Sequence, residues 1–411
     1  MESKNIVEQA DLKKLKTFAH SEILNDILPF WIEHAPDHKH GGFIGRIAMD
    51  NKPDYHAEKG LVLNARILWT FSAAAALFEI PDCRHLARVA YDYLCRHFAD
   101  NEYGGYYWLL DAEGNPSNIK KQVYAQAFVI YAFSEYFLLT GDQEVLDRAI
   151  RLYQLIEKTS FDKERNGYFE AFSREWGPLG DLRLSALDMN EKKTMNTHLH
   201  VIEGYANLYR AWKDPGLRER IINLLNVFGK YIIDANDNHF RLFFDEEWQS
   251  KSDTISYGHD VEGSWLLHEA AELTGDKELI GKFREWAVKM AEGTLPAITA
   301  LGGLCHETER KHPGNEGELE WWAQAEAVVG YLNAWQISGN LEFLNRASML
   351  SDFILNYFVD VHGGEWFYRL TPGGEPIMSY DKLGMWKCPY HNSRMCFELI
   401  RRIEDAGKNG K

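Results

Sequence analysis

A turn-plus-aromatic signature recurs six times along the chain at a nearly constant interval, and that repeat constrains the fold more than any other feature. It reads Gly41-Gly42-Phe43, Gly104-Gly105-Tyr106, Asn166-Gly167-Tyr168, Asn238-His239-Phe240, Gly302-Gly303-Leu304 and Gly363-Gly364-Glu365-Trp366. Successive starts lie 63, 62, 72, 64 and 61 residues apart. An interval of this size holds two helices and a short hairpin.

A second mark recurs in phase with the first. Thr140-Gly141-Asp142, Thr274-Gly275-Asp276 and Ser338-Gly339-Asn340 each follow an apolar run. Glycine past a helix end takes the left-handed conformation that closes it, and the Asp or Asn caps the next helix. Pro81-Asp82 and Asp214-Pro215 stand at the same phase in two other repeats. The two helices so delimited differ. Residues 143–158 set Val145, Ala149, Leu152 and Ile156 on one face, which predicts an amphipathic outer helix. Residues 122–139 are apolar nearly all round, which predicts an inner helix buried on both sides.

Six such pairs predict an all-α fold: an (α/α)6 barrel of six inner and six outer helices with short β-hairpins, forming one domain over residues 1–411. An open superhelical array would use the same repeat. Neither end of the chain reads as a polar capping repeat, which favours closure. The longest stretch without helical period, 177–194, is long enough to serve as a loop over the barrel mouth.

Composition narrows the partners. A formal net charge of −16 disfavours nucleic acid and anionic membrane surfaces. The first residues lack a basic stretch followed by an apolar run, and no 18-residue window is apolar throughout, so neither a signal peptide nor a transmembrane helix is expected. Five scattered cysteines without a C-x-x-C pair read as reduced thiols and a cytoplasmic location. A monomer is expected, with a dimer as the alternative.

Polar residues enter the inner helices at or near their starts, where a buried helix should carry none without a reason. They are Arg66, Tyr124, Asn196 with His200, His259 with Glu262, Trp322 with Gln324 and Glu326, and Trp386 with His391 and Asn392. Inner helices running the same way would bring these starts to one mouth, as a lined pocket. His259 and Glu262 are three apart on one helix face, so the carboxylate is expected to orient the imidazole; alone, the pair reads equally as a structural ion pair. His198 and His200 point apart and chelate poorly. No H-E-x-x-H, P-loop, Rossmann fingerprint or G-x-S-x-G occurs, so neither a metal nor a cofactor is expected. Imidazoles, a guanidinium and tryptophan faces suit proton abstraction beside a sugar carbonyl. With two carboxylates as the working pair, the same residues suit glycoside hydrolysis.

At these residues the chain resembles the N-acylglucosamine 2-epimerase superfamily, and within it the cellobiose 2-epimerases. The resemblance spans nearly the whole length. It is carried by Leu63-Asn-Ala-Arg66, Val123-Tyr124-Ala-Gln126, Met195-Asn196-Thr-His-Leu-His200, Gly258-His259-Asp-Val-Glu262, Glu320-Trp-Trp322-Ala-Gln324-Ala-Glu326 and Trp386-Lys-Cys-Pro-Tyr-His391-Asn392. The family implies an (α/α)6 barrel and, for the cellobiose-type members, no cofactor. Its two catalytic imidazoles fall on His259 and His391, and Glu262 matches the carboxylate partnering the first. Arg66, Tyr124, Asn196 and His200 match groups holding the opened reducing-end sugar. Trp322 and Trp386 match rings around the sugar pair, and Asp188, on the long loop, matches a substrate contact. Cys388 stands where the pattern leads to glycine, a change expected to alter packing behind His391.

The activity this implies is reversible inversion at C2 of the reducing-end glucose of a β-1,4-linked disaccharide, cellobiose to glucosyl-mannose or lactose to epilactose. Two histidines would move the proton through a cis-enediolate, with Arg66 and His200 stabilising the oxygen charge. The alternatives are an N-acylglucosamine 2-epimerase or monosaccharide aldose–ketose isomerase on the same scaffold, an (α/α)6 glycoside hydrolase, and a barrel that binds without catalysis.

Overall fold

The computed structural model describes residues 2–311, 313–314 and 316–409. In chain order, α1 (Glu2–Glu22) runs through a π-turn into α2 (Leu28–His34), followed by α3 (Leu61–Phe78) and α4 (Pro81–Tyr93). Next come α5 (Val123–Thr140), α6 (Gln143–Thr159), α7 (Met195–Ala211), α8 (Pro215–Val227) and α9 (Tyr257–Thr274). The chain ends with α10 (Lys277–Thr294), α11 (Trp321–Ser338), α12 (Leu341–Phe353) and α13 (Tyr390–Asn409). The inner ring is α3, α5, α7, α9, α11 and α13, each packed on the next, and α13 packs back on α3 to close it. The outer layer is α1, α4, α6, α8, α10 and α12. Here α1 touches both α12 and α13, so the two ends of the chain meet across the seam.

The expected helix pair, 122–139 and 143–158, is observed as α5 and α6, within one residue at each boundary. Gly141, Gly275 and Gly339 close three inner helices at φ of 70°, 70° and 68°, while Asp142, Asp276 and Asn340 accept backbone N–H groups of the helices they open. The first outer helix departs from the pattern. It is split by a π-turn at Ile23–Ile27, beside Pro29 near the start of α2. Proline has no N–H for the i→i−4 ladder, and a π-turn accommodates the missing bond. Both α3 and α5 are long and apolar enough to cross a membrane by composition, but most of their residues are buried inside the barrel.

Short antiparallel hairpins stitch one repeat to the next. Lys59–Gly60 pairs with Leu109–Leu110, Lys121–Gln122 with Ala171–Phe172, and Lys193–Thr194 with Phe243–Phe244. Thr254–Ser256 pairs with Glu307–Glu309, and Leu319–Glu320 with Arg369–Leu370. A bridge between Ile47 and Leu383 closes the circle. Each hairpin delivers the chain directly into an inner helix. In four repeats a buried lysine near that point reaches an aspartate in a signature turn: Lys59 to Asp37, Lys121 to Asp100, Lys193 to Asp162 and Lys382 to Asp360, at 2.7, 2.9, 2.7 and 2.6 Å. These pairs lock the hairpins to the barrel and hold all six inner-helix starts at one end.

Candidate active site

The common end forms a cavity of 650 Å³. Position two or three of an inner helix and position six lie about one turn apart, on the same face. Tyr124, Asn196, His259, Trp322 and His391 occupy the first position; Arg66, His200, Glu262 and Glu326 occupy the second. The structure brings together all ten residues singled out from the sequence. Arg66, Tyr124, Asp188, Asn196, His200, His259, Glu262, Trp322, Trp386 and His391 all line this cavity. The 177–194 loop lies over its rim and supplies Leu184, Ser185, Leu187, Asp188 and Met189. One Asp188 oxygen accepts the Ser185 N–H at 2.7 Å.

His259 and His391 flank one indole. The Trp322 ring centroid is 4.8 Å from that of His259 and 5.4 Å from that of His391. Burial pushes the His259 imidazole down to about 3, with His306 adding to the effect. Burial, then Arg66 and Arg394, holds His391 well below the usual histidine range. Both rings are therefore neutral at pH 7 and able to accept a proton.

The expected partnership of Glu262 with His259 is not what the helix produces. Helical side chains lean toward the N-terminus, so His259 reaches back to Ser256, whose hydroxyl lies 2.8 Å from Nδ1. Glu262 instead accepts from Arg394 at 2.6 Å and lies 3.8 Å from Nδ1 of His391. The carboxylate that orients an imidazole is Glu326, 2.7 Å from His391 Nδ1. Trp265 and Arg394 hold Glu326 in turn, at 3.0 and 2.6 Å. Burial and the neighbouring Glu326 push the Glu262 carboxyl up to about 8.

A second imidazole–carboxylate pair was not foreseen. His200 Nδ1 lies 2.8 Å from Glu203 Oε2, and the other Glu203 oxygen accepts from Tyr390 and Arg394. An ionised carboxylate only accepts, so Nδ1 carries the hydrogen and Nε2 the lone pair. Neutral His200 therefore cannot donate to a sugar oxygen, contrary to the expectation that it stabilises oxygen charge. Arg66 can: its guanidinium is buried, with Nη2 2.8 Å from the Tyr124 hydroxyl, which accepts, and Nη1 3.6 Å from Cys388 Sγ. Cys388 thus touches the arginine and not only the packing behind His391. His198 is structural: its Nδ1 meets the Thr194 carbonyl at 2.6 Å and its Nε2 accepts the Tyr168 N–H at 2.9 Å.

Among the described residues, Glu262, Glu326 and His391 are the group close enough to hold a metal ion. Arg394 Nη2 donates to both carboxylates at 2.6 Å, so a guanidinium already occupies the centre of that charge and would repel a cation.

Other wall residues escaped sequence reasoning: His306, Glu307, Glu318, Glu320, Trp321, Tyr368 and Arg369. The repeat held a signal for two of them. The carbonyls of Trp108, Glu170, Leu242, His306 and Tyr368 each accept the N–H of the first residue of an inner helix. These five sites share one phase of the repeat, which placed His306 and Tyr368 at the mouth.

The ring of helices and its single polar mouth define a barrel whose pocket combines imidazoles, carboxylates and one buried guanidinium. The profile of the family described as N-acylglucosamine 2-epimerase (GlcNAc 2-epimerase) matches residues 42–393. A cellobiose 2-epimerase of Bacteroides fragilis is 46% identical over 386 residues, covering 94% of this chain and 98% of that relative. One from Dictyoglomus turgidum is 39% identical, covering 96% and 100%. The solved structure of the cellobiose 2-epimerase from Bacillus thermoamylovorans B4167 superposes with a TM-score of 0.88 at 38% identity, covering 94% of this chain and 99% of that one. The chain belongs to the N-acylglucosamine 2-epimerase family.

Proposed function

We propose that this protein is a cellobiose 2-epimerase that inverts C2 of the reducing-end glucose in β-1,4-linked disaccharides without a cofactor. One observation carries the reading: two neutral imidazoles, His259 and His391, stand on either side of Trp322 in a cavity whose buried cation is Arg66. In the opened sugar the C1 aldehyde acidifies the C2 hydrogen. One imidazole takes that proton, and Arg66 stabilises the enediolate that forms. The negative intermediate raises the proton affinity of both rings, and the imidazole on the other face returns a proton. Glu326 stabilises the imidazolium that forms on His391. The sequence relatives, described as cellobiose 2-epimerases, support the disaccharide, as does a cavity of 650 Å³ with Trp322 and Trp386 in its wall.

Glycoside hydrolysis finds less support. It needs one carboxyl to protonate the leaving group and another to attack or to activate water. Glu262 and Glu326 are each almost wholly buried and share one guanidinium beneath His391. Incubating the protein with cellobiose and identifying the products tests the proposal. Glucosyl-mannose is expected; free glucose would instead establish a hydrolase, and an unchanged substrate would refute the epimerase reading.

A further inference from the structure

We propose that the cavity carries a second activity, separable from epimerisation: it interconverts the anomers of the reducing sugar, with His200 as the base that opens the ring. The inference rests on the epimerase reading, because the C1 aldehyde needed for C2 chemistry exists only in the opened sugar.

The orientation of one imidazole carries the argument. Glu203 fixes the hydrogen of His200 on Nδ1, at 2.8 Å, and so fixes the lone pair on Nε2. Against the upward push of burial, Arg394 and then His200 hold the Glu203 carboxyl below its ordinary range, so it remains an acceptor. The His200 ring lines the cavity, and its Nε2 has no hydrogen-bond partner among the described residues. Burial above all, with Arg66 and Arg394 adding to it, pushes the imidazole down to about 4. The lone pair is therefore free at neutral pH.

The neighbours of that lone pair select the oxygen it meets. His200 stands edge-on to Tyr124 with centroids 4.9 Å apart, and the Tyr124 hydroxyl holds Arg66 at 2.8 Å. A hydroxyl drawn to the Arg66 guanidinium is acidified by its charge and lies beside an unprotonated nitrogen. The anomeric hydroxyl is the most acidic hydroxyl of a reducing sugar. His259 and His391 belong to the other side of the task, and each keeps its own partner, Ser256 and Glu326.

The step balances without an added reactant. Nε2 takes the proton of O1–H as the C1–O5 bond breaks with its electron pair going to O5. The electrons left on O1 form the C1=O double bond. One water passes the proton from Nε2 to O5. The same events in reverse, on the other face of the aldehyde, give the other anomer.

The test uses freshly dissolved α-lactose, followed by polarimetry and by NMR of the anomeric hydrogens. The His259→Ala/His391→Ala double variant is expected to form no epimer yet to equilibrate the anomers about tenfold or more faster than buffer. Adding His200→Ala or His200→Gln to it should return the rate to that of buffer, with thermal melting to confirm folding. Should the double variant fail to fold, the wild-type protein with lactose deoxygenated at C2 of its reducing unit gives the same readout. Equilibration at the buffer rate, or an acceleration that survives loss of His200, would overturn the proposal. A wild-type protein that equilibrates anomers without making epimer would sink the epimerase reading alone, and one that makes epimer without accelerating equilibration would sink this one alone.

Discussion

A histidine's usefulness is set less by its own ring than by what holds its far nitrogen. His391 is held by Glu326 at 2.7 Å, His200 by Glu203 at 2.8 Å and His259 by the Ser256 hydroxyl at 2.8 Å. A carboxylate stabilises an imidazolium more than a serine can, so the two proton-transferring rings are unequal. Replacing either His259 or His391 by alanine should lower kcat by about 10²–10⁴-fold. The carboxylates should separate more sharply. Glu262, pushed up to about 8, holds a proton at neutral pH, and glutamine mimics a protonated glutamate. Glu262→Gln should therefore cost less activity than Glu326→Gln, which removes the charge facing His391. Steady-state rates of the two folded variants check this, and a larger loss for Glu262→Gln would restore the carboxylate to the role the sequence suggested. That role was misread because i and i+3 spacing reports a shared face, not the backward lean of the side chain along the helix.

The elements are joined by a device that repeats with them. In four repeats a lysine next to an inner helix and an aspartate in a signature turn meet in the interior; for Lys193 and Asp162 the side chains are 0% and 5% exposed. Lys193 also donates to the Asn166 and Glu246 carbonyls, at 2.9 and 3.1 Å. Breaking a buried pair leaves a charge without a partner, so Lys193→Ala should destabilise the protein by about 3–5 kcal/mol. Chemical denaturation measures the loss, and a change below about 1 kcal/mol would show that the pair does not hold the hairpin. The lysines recur in the sequence at 59, 121 and 193, in phase with the glycine signature, yet they lie among ordinary surface charges and carry no apolar period. Burial, which gives them meaning, is a tertiary fact. The helices were legible for the opposite reason: their apolar faces, glycine stops and Asp or Asn caps are local, and α5 and α6 fell where those marks placed them.

At the scale of the molecule, closure turns a linear repeat into a site. The seam where α13 meets α3 and α1 is the contact that separates a barrel from an open array, and it places His391 of the last inner helix beside Arg66 and Trp322 of others. The polar residues at the inner-helix starts announced the mouth in the sequence, because a buried helix has no other use for them. The partners behind them, Glu203, Tyr390 and Arg394, were hidden, since a network that joins α7 to α13 over nearly two hundred residues has no local period. The central claim is that two imidazoles pass the C2 proton across an enediolate, and running the reaction in D₂O tests it most directly. Each ring exchanges its proton with solvent, and the ring that returns a proton is not the one that took it. NMR at low conversion should therefore find deuterium at C2 of the epimer from the first turnover and little in the recovered substrate. Epimer that keeps its original C2 hydrogen in D₂O would contradict the two-histidine mechanism.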